Sequence, residues 1–122
     1  MHVSSSVSNL AVGVIAAIHF VISMFEMFIP KRLLAGDHFR FTEAEATKAG
    51  PIVANAGLYN GFVAAGLALS LTADGNYFVY FFLVCVVVAG VFGAVTLKAP
   101  KTLALQTAPA LIAVVLVWMT GR

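Results

Sequence analysis

The sequence contains little charge: Asp, Glu, Lys and Arg make up only 10% of its 122 residues, whereas 61% are hydrophobic. Soluble domains average about 25% charged and about 45–50% apolar residues. A soluble protein of this length leaves roughly a third of its chain surface exposed, so it could not bury so many apolar side chains. The composition therefore argues against a soluble globular fold and predicts a chain that is surrounded by lipid.

Cysteine and basic residues are also scarce. The single cysteine, Cys85, lies inside an apolar run and cannot form an internal disulfide. Seven Lys and Arg residues give a net charge of only +2. They are too few and too dispersed for a nucleic-acid-binding surface, so we expect the lipid bilayer, and no nucleic acid, as a partner.

Four segments are long and apolar enough to cross a membrane. A helix needs about 20 mostly apolar residues to span the hydrocarbon core. Helices are favoured because lipid offers no hydrogen-bond partner to bare backbone groups. We therefore predict an all-α fold, an integral membrane four-helix transmembrane bundle that forms a single domain over residues 1–122. The predicted spans lie at about residues 7–29, 51–71, 77–97 and 103–120, with a cytoplasmic loop at about 30–50.

Local signals refine the ends of these helices. Thr42 and Glu45 have the spacing of a capping box, which predicts a short helix that starts at Thr42 and ends by Gly50. Pro51 suits the first position of the second span. Pro109 lies inside the fourth span, where it removes one backbone hydrogen bond and predicts a kink.

Basic residues are distributed unevenly between the connections. Six of the seven lie in the first and third connections, and one lies at the C-terminus. The positive-inside rule places these two connections in the cytoplasm and both termini on the other side of the membrane. The six are Lys31, Arg32, Arg40, Lys48, Lys98 and Lys101, and the seventh is Arg122.

Two ionisable side chains lie inside the predicted spans. His19 lies near the middle of the first span, and Glu26 lies about one turn from its cytoplasmic end. Together with Ser23 they are spaced i, i+4 and i+7, which places all three on one face of a helix. Because a carboxyl group is costly in lipid, we expect this face to point towards protein or water.

Other predicted helices carry polar side chains at a matching depth. Asn55 and Tyr59 are i, i+4 neighbours in the second span, and Gln106 lies about one turn into the fourth. We expect Glu26 to approach one of these three side chains in a cavity that opens to the cytoplasm. The candidate ligand-binding or proton-coupling residues are Glu26, His19, Ser23, Asn55, Tyr59, Asn60 and Gln106.

These polar residues have two interpretations. As structural groups they would form interhelical hydrogen bonds, each contributing about 0.6 kcal/mol. As a functional site they would line a cavity with Glu26 as its ionisable centre, and the cost of a buried carboxyl group favours this interpretation for Glu26. The proximity of Lys31 and Arg32 leaves a third arrangement open, in which Glu26 pairs with them at the membrane interface. His19 is either a neutral core histidine or part of a proton relay.

Small residues recur at helical spacing in the second and third spans. Gly57 and Gly61 form a GxxxG pair, and Ala89 with Gly93 repeats the spacing. Such stripes let helix backbones approach closely, so these four residues are predicted to pack within the bundle or between subunits of a homo-oligomer.

Three motifs resemble a known family. They are Glu26-Met27-Phe28 in the first span, Asn55-Ala56-Gly57-Leu58-Tyr59-Asn60-Gly61-Phe62 in the second, and Gln106-Thr107-Ala108-Pro109-Ala110 in the fourth. The chain resembles, over almost its whole length, the small bacterial four-helix membrane proteins grouped as domain of unknown function 1304. Members of that family typically carry a tryptophan soon after the glutamate, where this chain has Phe28 and Ile29. The resemblance implies a multi-pass protein of the bacterial inner membrane and implies no activity.

Three functions remain open. The first is small-molecule binding or transport with Glu26 as the ionisable centre, in outline like the small multidrug exporters. The second is an integral-membrane enzyme of the size of the membrane glutathione transferases, although no arginine lies inside a span to hold a glutathione carboxylate. The third is a structural or assembly subunit without its own activity. No metal or other cofactor is expected, because His19 and Glu26 supply only two ligands where catalytic zinc needs three, and a single histidine inside a span disfavours haem.

Overall fold

The computed structural model describes residues 4–37 and 39–122. These residues are mainly helical, and none of those described forms a β-strand. The helices are α1 (Ser5–Phe28), α2 (Lys31–Leu34), α3 (Glu43–Ser70), α4 (Tyr77–Thr96), a π-helical turn (Leu103–Thr107) and α5 (Ala108–Thr120). Four segments are long and apolar enough to span a membrane, namely α1, α3, α4 and Leu103–Thr120. The predicted all-α fold with four membrane-length helices is confirmed.

Helix α3 begins well before the predicted second span. The capping box forms as expected: the Thr42 N–H donates to Glu45 Oε2 at 2.8 Å, and the Glu45 N–H donates to Thr42 Oγ1 at 3.3 Å. The helix then continues through Gly50 and Pro51, so the prediction of a short helix ending by Gly50 was wrong. Proline removes only the backbone bond to the carbonyl four residues earlier, and the neighbouring helical bonds carry the helix past it.

The fourth membrane-length segment begins with a wide turn. Residues Leu103–Thr107 are π-helical, and the Ala108 N–H bonds to the carbonyl of Leu103. Pro109 follows at once, at the start of α5. The π-helix is rare and occurs mostly as a single turn within an α-helix, as it does here. The kink at Pro109 stays a prediction, and the π-helical turn directly precedes this proline.

Two compact units make up the described chain. The first unit comprises residues 4–17 and Val63–Arg122, and the second comprises Ile18–Phe62. A single domain over residues 1–122 stays a prediction. The core of the first unit is entirely apolar and is formed by Val12, Ile15, Ala16, Leu67, Val79, Leu83, Val86, Ala110, Ala113 and Val117.

Hydrogen bonds close one end of the first unit. The Arg122 guanidinium donates from Nη2 to the carbonyls of Ser70 and Leu71, at 3.1 Å and 2.8 Å. The Asn76 side chain donates to the carbonyl of Arg122 at 3.0 Å. Since the last carbonyls of a helix have no partner within the helix, Arg122 satisfies acceptors that would otherwise be orphaned at the end of α3.

Candidate functional site

Helix α1 carries the predicted polar face of the first span, formed by His19, Ser23 and Glu26. Its apolar run ends at Phe28, just before Pro30. His19 and Ser23 are buried, with 2% and 1% of their surfaces exposed. Glu26 is half-buried. The three side chains that share a face by sequence spacing thus avoid full exposure, which is what the cost of polar groups in hydrocarbon requires.

Glu26 has a partner on the second membrane-length helix. Asn60 Nδ2 donates a hydrogen bond to Glu26 Oε2 at 2.8 Å. A bond from an amide to an ionised carboxylate is about twice as strong as one between neutral groups. Within the part of the chain that the structure describes, no protein group donates to the other carboxyl oxygen, Oε1. The carboxyl group therefore keeps an acceptor for a further donor.

Two glycines of α3 bring its backbone close to α1 around this bond. A Cβ atom at Gly57 would lie 2.8 Å from the Cβ of Glu26 and 2.9 Å from the backbone N of Met27. A Cβ atom at Gly61 would lie 2.9 Å from Ser23 Oγ. Only glycine permits such a short approach, which brings the short Asn60 side chain within hydrogen-bonding distance of Glu26.

The structure places two other candidates of α3 elsewhere. Asn55 is exposed, and Tyr59 has 59% of its surface exposed. The Tyr59 ring packs edge to face against Phe62, with the centroids 5.7 Å apart. Glu26 is therefore hydrogen-bonded to Asn60 rather than to Asn55 or Tyr59, because Asn60 is the side chain on the face that Gly57 and Gly61 turn towards α1.

Gln106 belongs to the other compact unit and packs there against α4. It lies in the π-helical turn, and a Cβ atom at Gly90 would lie 3.2 Å from the Cβ of Gln106 and 3.0 Å from the backbone N of Thr107. Ala89 is exposed and Gly93 is partly buried. Gly90 was not among the predicted packing residues, although a glycine in a valine-rich helix was a signal of close packing.

The arrangement can accept a hydrogen bond, bind a cation or exchange a proton at one carboxyl group. No cluster of three His, Cys, Asp or Glu side chains that could hold a metal ion is found among residues 4–37 and 39–122. The groups assembled within the second unit are the Glu26 carboxyl, the Asn60 amide and the Ser23 hydroxyl, which donates weakly to Met27 Sδ at 3.7 Å.

Comparison with known proteins identifies a family. No curated protein and no solved structure matches the chain. A family model described as "Protein of unknown function (DUF1304)" matches residues 13–118. This range includes Glu26, Asn60, Gly57 and Gly61, and it covers nearly all of the four membrane-length segments. The chain therefore belongs to the DUF1304 family of proteins of unknown function.

Proposed function

We propose that this protein binds or transports a small molecule within a membrane, with Glu26 as the ionisable centre. The observation that carries the proposal is the hydrogen bond from Asn60 to Glu26, which holds a half-buried carboxyl group inside a membrane-length helix. A neutral side chain could join two helices at a lower desolvation cost. The carboxyl group is accordingly explained better by an exchangeable proton or a cationic ligand than by packing alone.

The chemistry of the site favours a cationic ligand with an apolar body. A carboxylate attracts a positive charge, and an apolar body lowers the cost of reaching it through hydrocarbon. Aromatic rings, which can also attract cations, are exposed on the same unit at Phe25 and Tyr59. Binding of such a cation to a protonated Glu26 would displace a proton into solution.

We infer the membrane orientation from the basic residues in the connections. Lys31, Arg32, Arg40 and Lys48 lie between the apolar parts of α1 and α3, whereas Lys98 and Lys101 lie between α4 and the π-helical turn. By the positive-inside rule we place both connections in the cytoplasm of a bacterial cell and both termini outside it, with the protein in the inner membrane.

Proton release on binding tests the site. Tetraphenylphosphonium is titrated into the purified protein in weakly buffered detergent solution. The heat of binding and the number of released protons are both measured. The wild-type protein should release up to about one proton per bound cation at a pH where Glu26 is protonated. Glu26→Gln should release none, and it should stay folded because its amide oxygen can still accept the bond from Asn60.

A matched control separates Glu26 from other carboxyl groups. Asp74→Asn makes the same chemical change at an exposed position in the connection after α3, and it should bind and release protons as the wild type does. Equal proton release by Glu26→Gln and the wild type would refute the assignment of Glu26. No binding of the probe by the wild type would refute the class of ligand.

A second candidate function is an assembly subunit, and the exposed face at Asn55 and Tyr59 favours it. An amide that faces hydrocarbon is costly, so a second copy of the chain that covers Asn55 would stabilise it. Under this reading, native mass spectrometry should detect a homo-oligomer that Asn55→Leu dissociates. A wild-type monomer at all accessible concentrations would rule it out.

A further inference from the structure

A groove of about 240 Å³ lies between α2 and the first turn of α3, within the second unit. We call it the interfacial groove. It is lined by Lys31, Arg32, Ala35, Glu43, Ala46 and Thr47. Two cations and one anion therefore surround a small cavity whose remaining walls are mostly methyl groups.

The walls of the interfacial groove are held in place. Leu34 of α2 has 1% of its surface exposed, and a Cβ atom at Gly50 of α3 would lie 3.8 Å from its Cδ1, an ordinary packing distance. Ala46 is likewise buried. Beyond the groove, the Phe39 ring stacks on Phe25 of α1 with a centroid distance of 6.5 Å. Packing of Leu34 and Ala46 therefore supports the walls of the groove.

The groove lies where two membrane-length apolar segments end along the chain, which is where lipid headgroups are expected. Lys31 follows the end of α1 at Phe28 by three residues, and the apolar part of α3 begins only after Lys48. Phe28 at the end of α1 has 72% of its surface exposed and Leu33 of α2 has 47%, so exposed apolar side chains lie next to the groove along the chain. Cationic side chains at this position sit where lipid phosphates are concentrated.

The charges of the groove match a headgroup with two opposite charges. Among the residues that the structure describes, no ion pair joins Glu43 to Lys31 or Arg32, although all three line the same groove. We propose that the interfacial groove binds a phosphoethanolamine group, with Lys31 and Arg32 on the phosphate and Glu43 on the primary ammonium.

Competing headgroups satisfy only part of this pattern. A phosphatidylglycerol headgroup offers the phosphate but leaves the Glu43 carboxylate without a cation and close to an anion. A phosphocholine headgroup carries a positive charge that has no N–H to donate to the carboxylate. The groove should therefore rank phosphatidylethanolamine above both lipids with the same acyl chains.

Native mass spectrometry of the full chain in detergent tests this ranking. Phosphatidylethanolamine, phosphatidylglycerol and phosphatidylcholine with the same acyl chains are titrated separately, and the apparent Kd of the first bound lipid is measured. Each basic side chain near an anionic membrane surface contributes about 1 kcal/mol, or about fivefold in affinity, and we expect a direct contact with the lipid phosphate to be of the same size. Lys31→Gln/Arg32→Gln should therefore weaken phosphatidylethanolamine binding by about 25-fold. Glu43→Gln should weaken it by about fivefold and leave phosphatidylglycerol binding unchanged or tighter.

A second pair of cations supplies the control. Lys98→Gln/Lys101→Gln removes two exposed charges from the other basic connection and should leave the Kd for phosphatidylethanolamine unchanged. Circular dichroism melts confirm that each variant is folded. The proposal is overturned if this control loses as much affinity as Lys31→Gln/Arg32→Gln, if the wild type binds phosphatidylglycerol as tightly as phosphatidylethanolamine, or if Glu43→Gln weakens both lipids equally.

Competition with soluble glycerophosphoethanolamine distinguishes a free phosphoethanolamine compound from a membrane lipid as the ligand. If it displaces the bound lipid at concentrations near the lipid's own Kd, the groove recognises a free phosphoethanolamine compound. If it does not compete, the acyl chains contribute and the ligand is the membrane lipid. Both outcomes retain the phosphoethanolamine chemistry.

Discussion

Replacement of Gly57 by alanine puts a methyl group into a close contact between α3 and α1. The added Cβ would lie 2.8 Å from the Cβ of Glu26 and 2.9 Å from the backbone N of Met27. The Met27 N is a backbone atom, and the Glu26 Cβ is bonded directly to the Glu26 Cα. Neither atom can swing away as the end of a long side chain could. The two helices must separate, and the bond from Asn60 to Glu26 must lengthen with them.

The size of the effect follows from two opposing terms. Overpacking of a close contact costs about 1–3 kcal/mol. Alanine gains about 0.5–1 kcal/mol over glycine in the interior of a helix. Gly13→Ala isolates the second term, because Gly13 also lies inside a membrane-length helix and nothing lies within 4 Å of the Cβ it would gain. Gly57→Ala should therefore be about 1–3 kcal/mol less stable than Gly13→Ala.

Unfolding in mixed micelles measures this difference. The free energy of unfolding is obtained from the loss of helical circular dichroism as the denaturing detergent fraction rises. Gly13→Ala should be as stable as the wild type or slightly more stable. If the two variants unfold at the same detergent fraction, the close approach at Gly57 does not stabilise the protein and the geometric argument fails.

Three further predictions concern the first unit and the topology. Gly90→Ala should be about 1–3 kcal/mol less stable than Gly13→Ala, because the added Cβ meets the hydroxyl and backbone N of Thr107; equal stability of the two variants in a detergent titration would contradict this. Arg122→Ala should cost about 1–2 kcal/mol, since the carbonyls of Ser70 and Leu71 lose their donor. An unchanged thermal melt would show that water replaces the guanidinium. A phosphatase reporter that works only outside the cytoplasm should be active when fused after Arg122. The reason is that six of the seven basic residues lie in the connections placed in the cytoplasm. Activity of a cytoplasmic reporter alone at that position would reverse the proposed orientation.

The membrane-length helices could be predicted from local composition. The free energy of placing a segment in lipid is nearly a sum over its own residues, so runs of apolar residues define the spans whatever they pack against. The capping box is equally local, because Thr42 and Glu45 alone supply both its donors and its acceptors.

The continuation of α3 through Pro51 could not be predicted in the same way. Proline suits the first turn of a helix and is tolerated further inside when the rest of the helix supplies enough bonds. Sequence alone does not decide between the two, because the choice depends on how the preceding residues pack. Here Ala46 is buried and Leu34 packs near Gly50, which favours helix in the residues before the proline.

The sequence by itself determined which segments are long and apolar enough to span lipid. It also determined which polar groups lie at the same depth, since both properties follow from position along the chain. The tertiary structure alone decided which of those groups meet. Asn55, Tyr59 and Asn60 lie within six residues of one another, yet only Asn60 is on the face that Gly57 and Gly61 bring against Glu26. Successive residues of a helix are rotated by about 100°, so a difference of one position decides whether a side chain reaches its partner, and helix rotation is set by packing.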